Sequence, residues 1–193
     1  LAAHQEQRAE KFKAKAARQK AKAARAKAAA GLVIGGRPRR ITAPLSYDNI
    51  STIMFLDPEV AGVGMNEQDC RSRGIAYRVA RVDYSCLARA IAMRRTKGFF
   101  KVLVTNDTEM HVLGMRAVGD HASSAIEAVA MMMKLGIPIR ELADLIHPHP
   151  SITEGVQECA RLLLGTSTFK PEVFADKMQC YTWVPAEAKS VAA

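Results

Sequence analysis

The stretch Gly98-Phe99-Phe100-Lys101-Val102-Leu103-Val104-Thr105-Asn106-Asp107-Thr108-Glu109-Met110-His111-Val112-Leu113-Gly114-Met115-Arg116-Ala117-Val118 holds two apolar runs split by a short polar segment. Runs rich in Val, Phe and Leu, broken by turn-forming residues, predict two strands, residues 98–105 and 110–118, closed as an antiparallel hairpin through Asn106-Asp107-Thr108-Glu109. The period then changes. From Ala122 to Leu135 small and apolar residues recur at helical spacing, and Gly136 closes the run. Strands first and helices later predict an α+β domain, an antiparallel sheet covered by helices on one face.

Working outward, Ser51-Thr52-Ile53-Met54-Phe55 reads as a strand, Asp57-Pro58-Glu59 as a turn and residues 60–64 as a short extended piece. Asn66 is placed to cap a helix running to about Arg73, where Gly74 stops it. Residues 76–82 alternate as a strand, while 85–93 fit either a short helix or an irregular segment. Pro138 stands near the start of a further helix through about Ile146. A last helix follows Pro150 and runs to Leu164, with Gly165 as its stop. The tail 166–193, with Trp183 and Pro185, carries no pattern that assigns an element. Met131-Met132-Met133 point in three directions around a helix, which suits packing and not metal binding.

The net charge of +9 is unevenly spread. Residues 1–40 carry 12 Lys/Arg against two acids, Glu6 and Glu10, whereas the other 16 basic and 17 acidic side chains nearly cancel. Residues 1–30 read as one basic, Ala-rich helix whose only large apolar residues are Leu1 and Phe12; residues 31–44, with Gly35-Gly36, read as a linker. A segment so basic could bind nucleic acid by counterion release. With one aromatic and no base-reading motif, only sequence-blind binding fits, and nucleic acid is not the expected partner. Cys70, Cys86, Cys159 and Cys180 form no C-x-x-C or C-x4-C spacing and no metal set with histidine, so they are expected to be idle thiols in a reducing compartment. No apolar run is long enough to span a membrane, and the start lacks the apolar core of a secretory signal.

One segment carries chemistry: His147-Pro148-His149-Pro150-Ser151-Ile152-Thr153-Glu154. Proline offers no N–H, and an X-Pro bond can be cis, so His149 is expected at the end of a turn. Ser151 is expected to start the helix, with Glu154 as its capping-box partner. A carboxylate on that first turn can also reach back to a ring nitrogen, which fixes the tautomer and strengthens an imidazole as a base. Two readings stay open at this level: an acid/base pair, or a helix start that is merely capped.

Two separated motifs, in order, resemble the C-terminal dimerisation domain of the pyridine nucleotide–disulfide oxidoreductases. Asp57-Pro58-Glu59-Val60-Ala61-Gly62-Val63-Gly64 is similar to its opening signature, and the His-x-His-Pro-Ser-x-x-Glu segment resembles its catalytic His-Glu motif. Lys97-Gly98-Phe99-Phe100-Lys101-Val102 and residues 111–119 fall where that family has sheet strands. The dihydrolipoamide dehydrogenase branch carries the most similar form, His-x-His-Pro-Thr-x-x-Glu. The resemblance covers residues 44–165, set between an N-terminal part (1–43) and the tail (166–193).

The resemblance implies catalytic roles for His149, as acid/base toward a dithiol, and for Glu154, which orients and charge-stabilises it. It implies a cis His149–Pro150 bond and a supporting place for His147, while His111 and His121 fall at a strand or a helix end. Leu1-Ala2-Ala3-His4 resembles the short segment where the family's flavin-domain helix faces the cofactor; residues 11–27 look like an insertion. The implied cofactors are FAD and NAD(P), no metal is implied, and the implied partners are a second copy in a homodimer and a dithiol such as a lipoyl group. A cytoplasmic setting is expected. No G-x-G-x-x-G and no redox-active C-x4-C is present, and the chain begins with Leu, so the expectation is a fragment that does not turn over alone. Mercuric reductase, glutathione reductase and soluble transhydrogenase types share the domain and remain alternatives. So does a non-catalytic dimerisation module.

Overall fold

The computed structural model describes residues 47 and 49–186. The expected basic helix, the linker and the segment Leu1-Ala2-Ala3-His4 lie outside the described residues. Among the described residues six strands form one antiparallel sheet: β1 (Ser51–Met54), β2 (Val60–Gly64), β3 (Tyr77–Asp83), β4 (Phe99–Thr105), β5 (Val112–Val118) and β6 (Met178–Trp183). Their order across the sheet is β1-β2-β5-β4-β3-β6. The central pair, β4 and β5, is the hairpin expected from the sequence, with Phe100 opposite Ala117 and Val102 opposite Met115. A register irregularity at Leu103/Val104 lets the strands meet the turn, which Asp107 organises by accepting from the N–H groups of Glu109 and Met110.

The helices are α1 (Glu67–Ser72), α2 (Ala88–Ala92), α3 (Ala122–Leu135), α4 (Ile139–Asp144) and α5 (Glu154–Leu164). α1 starts in a full capping box: the Asn66 side chain accepts from the Asp69 N–H at 2.8 Å, and Asp69 accepts from the Asn66 N–H at 3.0 Å. The ambiguous segment at 85–93 resolves into a 3₁₀ turn, Tyr84–Cys86, followed by α2. Gly136 and Gly165 end α3 and α5 in the left-handed conformation, which a residue without a Cβ adopts at little cost.

Side-chain alternation sorts the sheet into two faces. Ala61, Val63, Ala80, Val82, Phe100, Val102, Met115 and Ala117 point to the face covered by α3, α4 and α5, forming the main core. α3 lies over β2 and β5, and α5 over β3 and β4. Of the three adjacent methionines, Met132 is buried in this core, Met133 packs at its edge and Met131 faces outward, as their spacing around a helix requires. α1 is the exception to one-sided cover. It places Cys70 on the opposite face, in a small cluster with Tyr77, Val79 and Leu103.

The tail, which gave no sequence signal, returns to the sheet as β6 beside β3, with Tyr181 opposite Val79 and Trp183 opposite Tyr77. Its side chains are mostly exposed on an edge, so the hydrophobic alternation that marks a half-buried strand is missing. Glu67 fastens it: one carboxylate oxygen accepts from Tyr181 at 2.8 Å and Tyr77 at 3.0 Å, the other from Lys101 at 2.7 Å. Burial opposes the charge on Glu67, but Lys101 and the two phenols outweigh it and hold its pKa below the ordinary value. Loss of water and the same carboxylate push the Tyr181 phenol up to about 12.

Phe100 is fully buried, 4.9 Å from the Tyr84 ring and beneath the start of α5. Replacing it by Ala removes a filled site between sheet and helix. The expected cost is about 3–5 kcal/mol of unfolding free energy, read from urea denaturation of Phe100→Ala against the parent chain.

Candidate functional site: a histidine–glutamate pair at a helix start

The loop between α4 and α5 presents the segment singled out above. His149 Nδ1 lies 2.8 Å from Glu154 Oε1, and the second oxygen, Oε2, accepts from the Ser151 N–H at 2.6 Å. The His149–Pro150 bond is cis, as is Asp57–Pro58. His149 keeps 70% of its side-chain surface exposed, whereas Glu154 keeps 27%. The carboxylate therefore sits against the protein while the ring projects outward. Since a carboxylate only accepts, Nδ1 carries the hydrogen in the neutral ring and Nε2 faces solvent with its lone pair free.

Burial opposes the charge on Glu154. The Ser151 N–H, the His149 ring and the nearby His147 together overcome it and hold the carboxyl below its ordinary value of 4.5. His147 points its Nδ1 at the Leu145 carbonyl, 3.3 Å away.

The helix start differs from the expected one. α5 begins at Glu154, not at Ser151, and the residue before it, Thr153, makes no side-chain cap. The reason is local competition. The Ser151 hydroxyl turns to Thr153 Oγ1 at 3.2 Å, and Glu154 serves the Ser151 amide and the histidine together. Half of the capping box is thus present, and the same carboxylate touches both the Ser151 amide and the His149 ring. α4 also stops at Asp144, short of the expected Ile146.

Gly155 explains how Glu154 is placed. A Cβ there would lie 2.5 Å from Phe100 Cδ2 and 2.9 Å from Leu87 Cδ1, so only glycine lets the first turn of α5 rest on the buried ring. Two further residues of this turn carry structural duties that the sequence reading missed. Gln157, 3% exposed, donates from Nε2 to the Ala143 carbonyl at 3.0 Å and to that of Leu145. Glu158, also buried, accepts from Ser167 Oγ and from Thr168 N and Oγ1. Polar residues one turn beyond Glu154 on a helix otherwise facing the core were the available signal.

His111 bridges to Pro138 at a strand edge, and His121 precedes α3 in the left-handed region; neither joins His149 through a hydrogen bond. All four cysteines are free thiols, with Cys70 and Cys159 buried. Among the described residues no group of three or more His, Cys, Asp or Glu is arranged to hold a metal, and no helix is long and apolar enough to cross a membrane. A separate cleft of about 350 Å³ is lined by Asp57, Pro58, Arg94, Arg95, Thr96, Lys97 and Asp120, and no histidine borders it.

The dimerisation domain of the pyridine nucleotide-disulphide oxidoreductases matches residues 50–160. The chain is 30% identical over 132 residues to dihydrolipoyl dehydrogenase 3 of Haloarcula marismortui, covering 68% of this chain and 27% of the relative. It is 31% identical over 137 residues to dihydrolipoyl dehydrogenase of Geobacillus stearothermophilus, covering 71% and 28%. Among solved structures, the HOCl-induced flavoprotein disulfide reductase RclA of Escherichia coli aligns with a TM-score of 0.57 at 30% identity, over 60% of this chain and 26% of that one. LpdA of Mycobacterium tuberculosis aligns with a TM-score of 0.58 at 27% identity, over 62% and 26%. The chain thus spans little more than a quarter of the length of the proteins it matches.

A carboxylate whose folded pKa is depressed contributes stability that is complete above its unfolded pKa and is lost as pH falls through the folded one. The Glu154 contacts should therefore persist from neutral pH to below 4.5 and loosen only under stronger acid. Carbon-13 NMR titration of the Glu154 carboxyl checks this, with a midpoint below 4.5 expected.

Proposed function

Because the chain belongs to the dimerisation-domain family of the pyridine nucleotide-disulphide oxidoreductases, we propose that it forms that part of a dithiol–disulfide oxidoreductase most like dihydrolipoyl dehydrogenase. In this reading it supplies His149 and Glu154 as the acid/base pair of an active site completed by a second copy. The observation that carries it is the 2.8 Å contact between His149 Nδ1 and Glu154 Oε1, with Nε2 left facing outward.

The chemistry follows from that geometry. His149 Nε2 takes the proton of one thiol of a dithiol, such as a lipoyl group, and Glu154 stabilises the imidazolium that forms. The resulting thiolate attacks a disulfide held by the partner copy, giving a mixed disulfide and releasing one protein thiolate. The second substrate thiol then displaces the first protein sulfur, so the dithiol leaves as a disulfide and the protein disulfide is reduced to a dithiol. The reacting disulfide belongs elsewhere, since none of the four cysteines is paired and two are buried.

FAD and NAD(P) are proposed for the longer protein and not for this surface. A dinucleotide phosphate favours a free helix N-terminus. Here the N-terminus of α3 is occupied by Glu59, whose carboxylate accepts from the Ser123 N–H and hydroxyl, and that of α5 by Glu154. These residues do not fit such a group, and no step is derived through it. A flavin-facing role for Leu1-Ala2-Ala3-His4 rests on the sequence resemblance alone, and so does a cytoplasmic setting.

Support for a second copy comes from the site's flank. Ile146 is 94% exposed and Leu145 55% exposed, directly beside the two histidines. Met131 and Leu135 add apolar surface on α3. Such surface is stabilised when another protein covers it.

In a longer protein that also holds the disulfide and both cofactors, His149→Gln should lower dithiol oxidation by about 10²–10⁴-fold. Turnover close to that of the parent would refute the assignment. The 193-residue chain itself is expected to sediment as a dimer at micromolar concentration, with charged substitution of Ile146 shifting it toward monomer; a monomer at every concentration would contradict the partner.

A further inference from the structure

We propose that Gln157 is the positioning residue for the His147 imidazole and the anchor of the His147–His149 loop at the end of α4, a role that rests on the acid/base reading of His149. α4 ends at Asp144 with Leu145 in extended geometry, so its last carbonyls have left the helical ladder. Buried carbonyls of this kind need donors. Gln157 provides them from one nitrogen, whose two hydrogens reach the Ala143 and Leu145 oxygens. The side chain is 3% exposed and therefore has little freedom to do anything else.

The Leu145 oxygen is also the acceptor for His147 Nδ1. Gln157 thus fixes the carbonyl that fixes the His147 ring, while Glu154, one turn earlier on α5, holds the His149 ring. The short loop is pinned at both ends by side chains three residues apart on one helix. Residues at that spacing share a helix face, so both attachments move as a unit. The outcome is two imidazoles whose Nδ1 atoms each face an acceptor and so carry the hydrogen of the neutral ring.

An amide suits this place for a physical reason. It donates at any pH and adds no charge beside groups that gain and lose protons. Lysine or arginine would supply donors, yet would also place a cation next to two imidazoles. The Gln157 anchors hold geometry alone.

The test uses the 193-residue chain with ¹⁵N-labelled histidines at a pH where both rings are neutral, because ring ¹⁵N shifts report which nitrogen carries hydrogen. The parent chain should show the Nδ1–H form at His147 and His149, against the Nε2–H preference of a free exposed ring. Gln157→Met keeps length and volume but removes both donors. It should raise the Nε2–H fraction several-fold at His147 and less at His149, with β4 and β5 amide resonances unmoved. Gln157→Lys, which restores a donor, should keep the parent tautomers and also serves if the Met variant does not fold. Unchanged tautomers in Gln157→Met, or lost ones in a well-folded Gln157→Lys, overturn the role. Glu154→Ala, which removes the acceptor, separates this from the underlying reading: it should shift His149 toward the Nε2–H form and leave His147 unmoved, and a His149 tautomer indifferent to that change would refute the acid/base pair instead.

Discussion

The contact on which the site depends is the seat of Gly155 on Phe100. Phe100 is fixed by the central β4–β5 pairing and by the Tyr84 ring, so it is among the least movable groups in the fold. α5 meets it through a residue with no side chain, and the first turn of the helix lies flat on the sheet. The candidate site is then set by helical geometry: Glu154 precedes that contact by one residue, and Gln157 and Glu158 follow within a turn. A loop is mobile unless it is tied to something rigid. Here the tie runs from ring to glycine to carboxylate to imidazole.

The first turn and a half of α5 is unusual in how many of its side chains are polar and yet turned inward. Each has a distinct task. Glu154 serves His149 and the Ser151 amide, Gln157 the end of α4, and Glu158 the tail at Ser167 and Thr168. Buried polar groups stabilise little when satisfied and cost much when left alone. Their effect is to specify one arrangement of three chain segments around one helix. Glu67 does the same on the opposite face, where it draws β6 onto β3 through Tyr181.

How much of this could be read from residues alone follows the same division. The hairpin, the capped α1 and α3 were legible because local rules decide them: alternation, a turn of polar residues, Asn66 ahead of Asp69, Gly136 at a helix end. The acid/base candidate was legible as a spacing, since five residues from His149 to Glu154, through Pro150, allow the ring to be reached. What the spacing left open was whether Glu154 caps a helix or orients a histidine, and its carboxylate touches both the Ser151 amide and the His149 ring. β6 escaped notice because an edge strand exposed along most of its length needs no hydrophobic alternation, and its partner β3 lies about a hundred residues away. Gln157 escaped because its local signal, a polar residue on a helix otherwise facing the core, does not say what it binds; only the ending of α4 beside it gives the amide a purpose.

By itself, then, the sequence determined most of the element types, the hairpin at the centre of the sheet and a spacing that lets Glu154 reach His149, because each is settled by interactions among residues close in the chain. Only the tertiary structure decided that Glu154 has its two oxygens divided between the Ser151 amide and the His149 ring, that Nε2 faces outward, and that Gln157 and Glu158 bind distant segments. Those outcomes depend on the glycine-lined approach of α5 to a buried phenylalanine more than fifty residues earlier, and no local pattern encodes that approach.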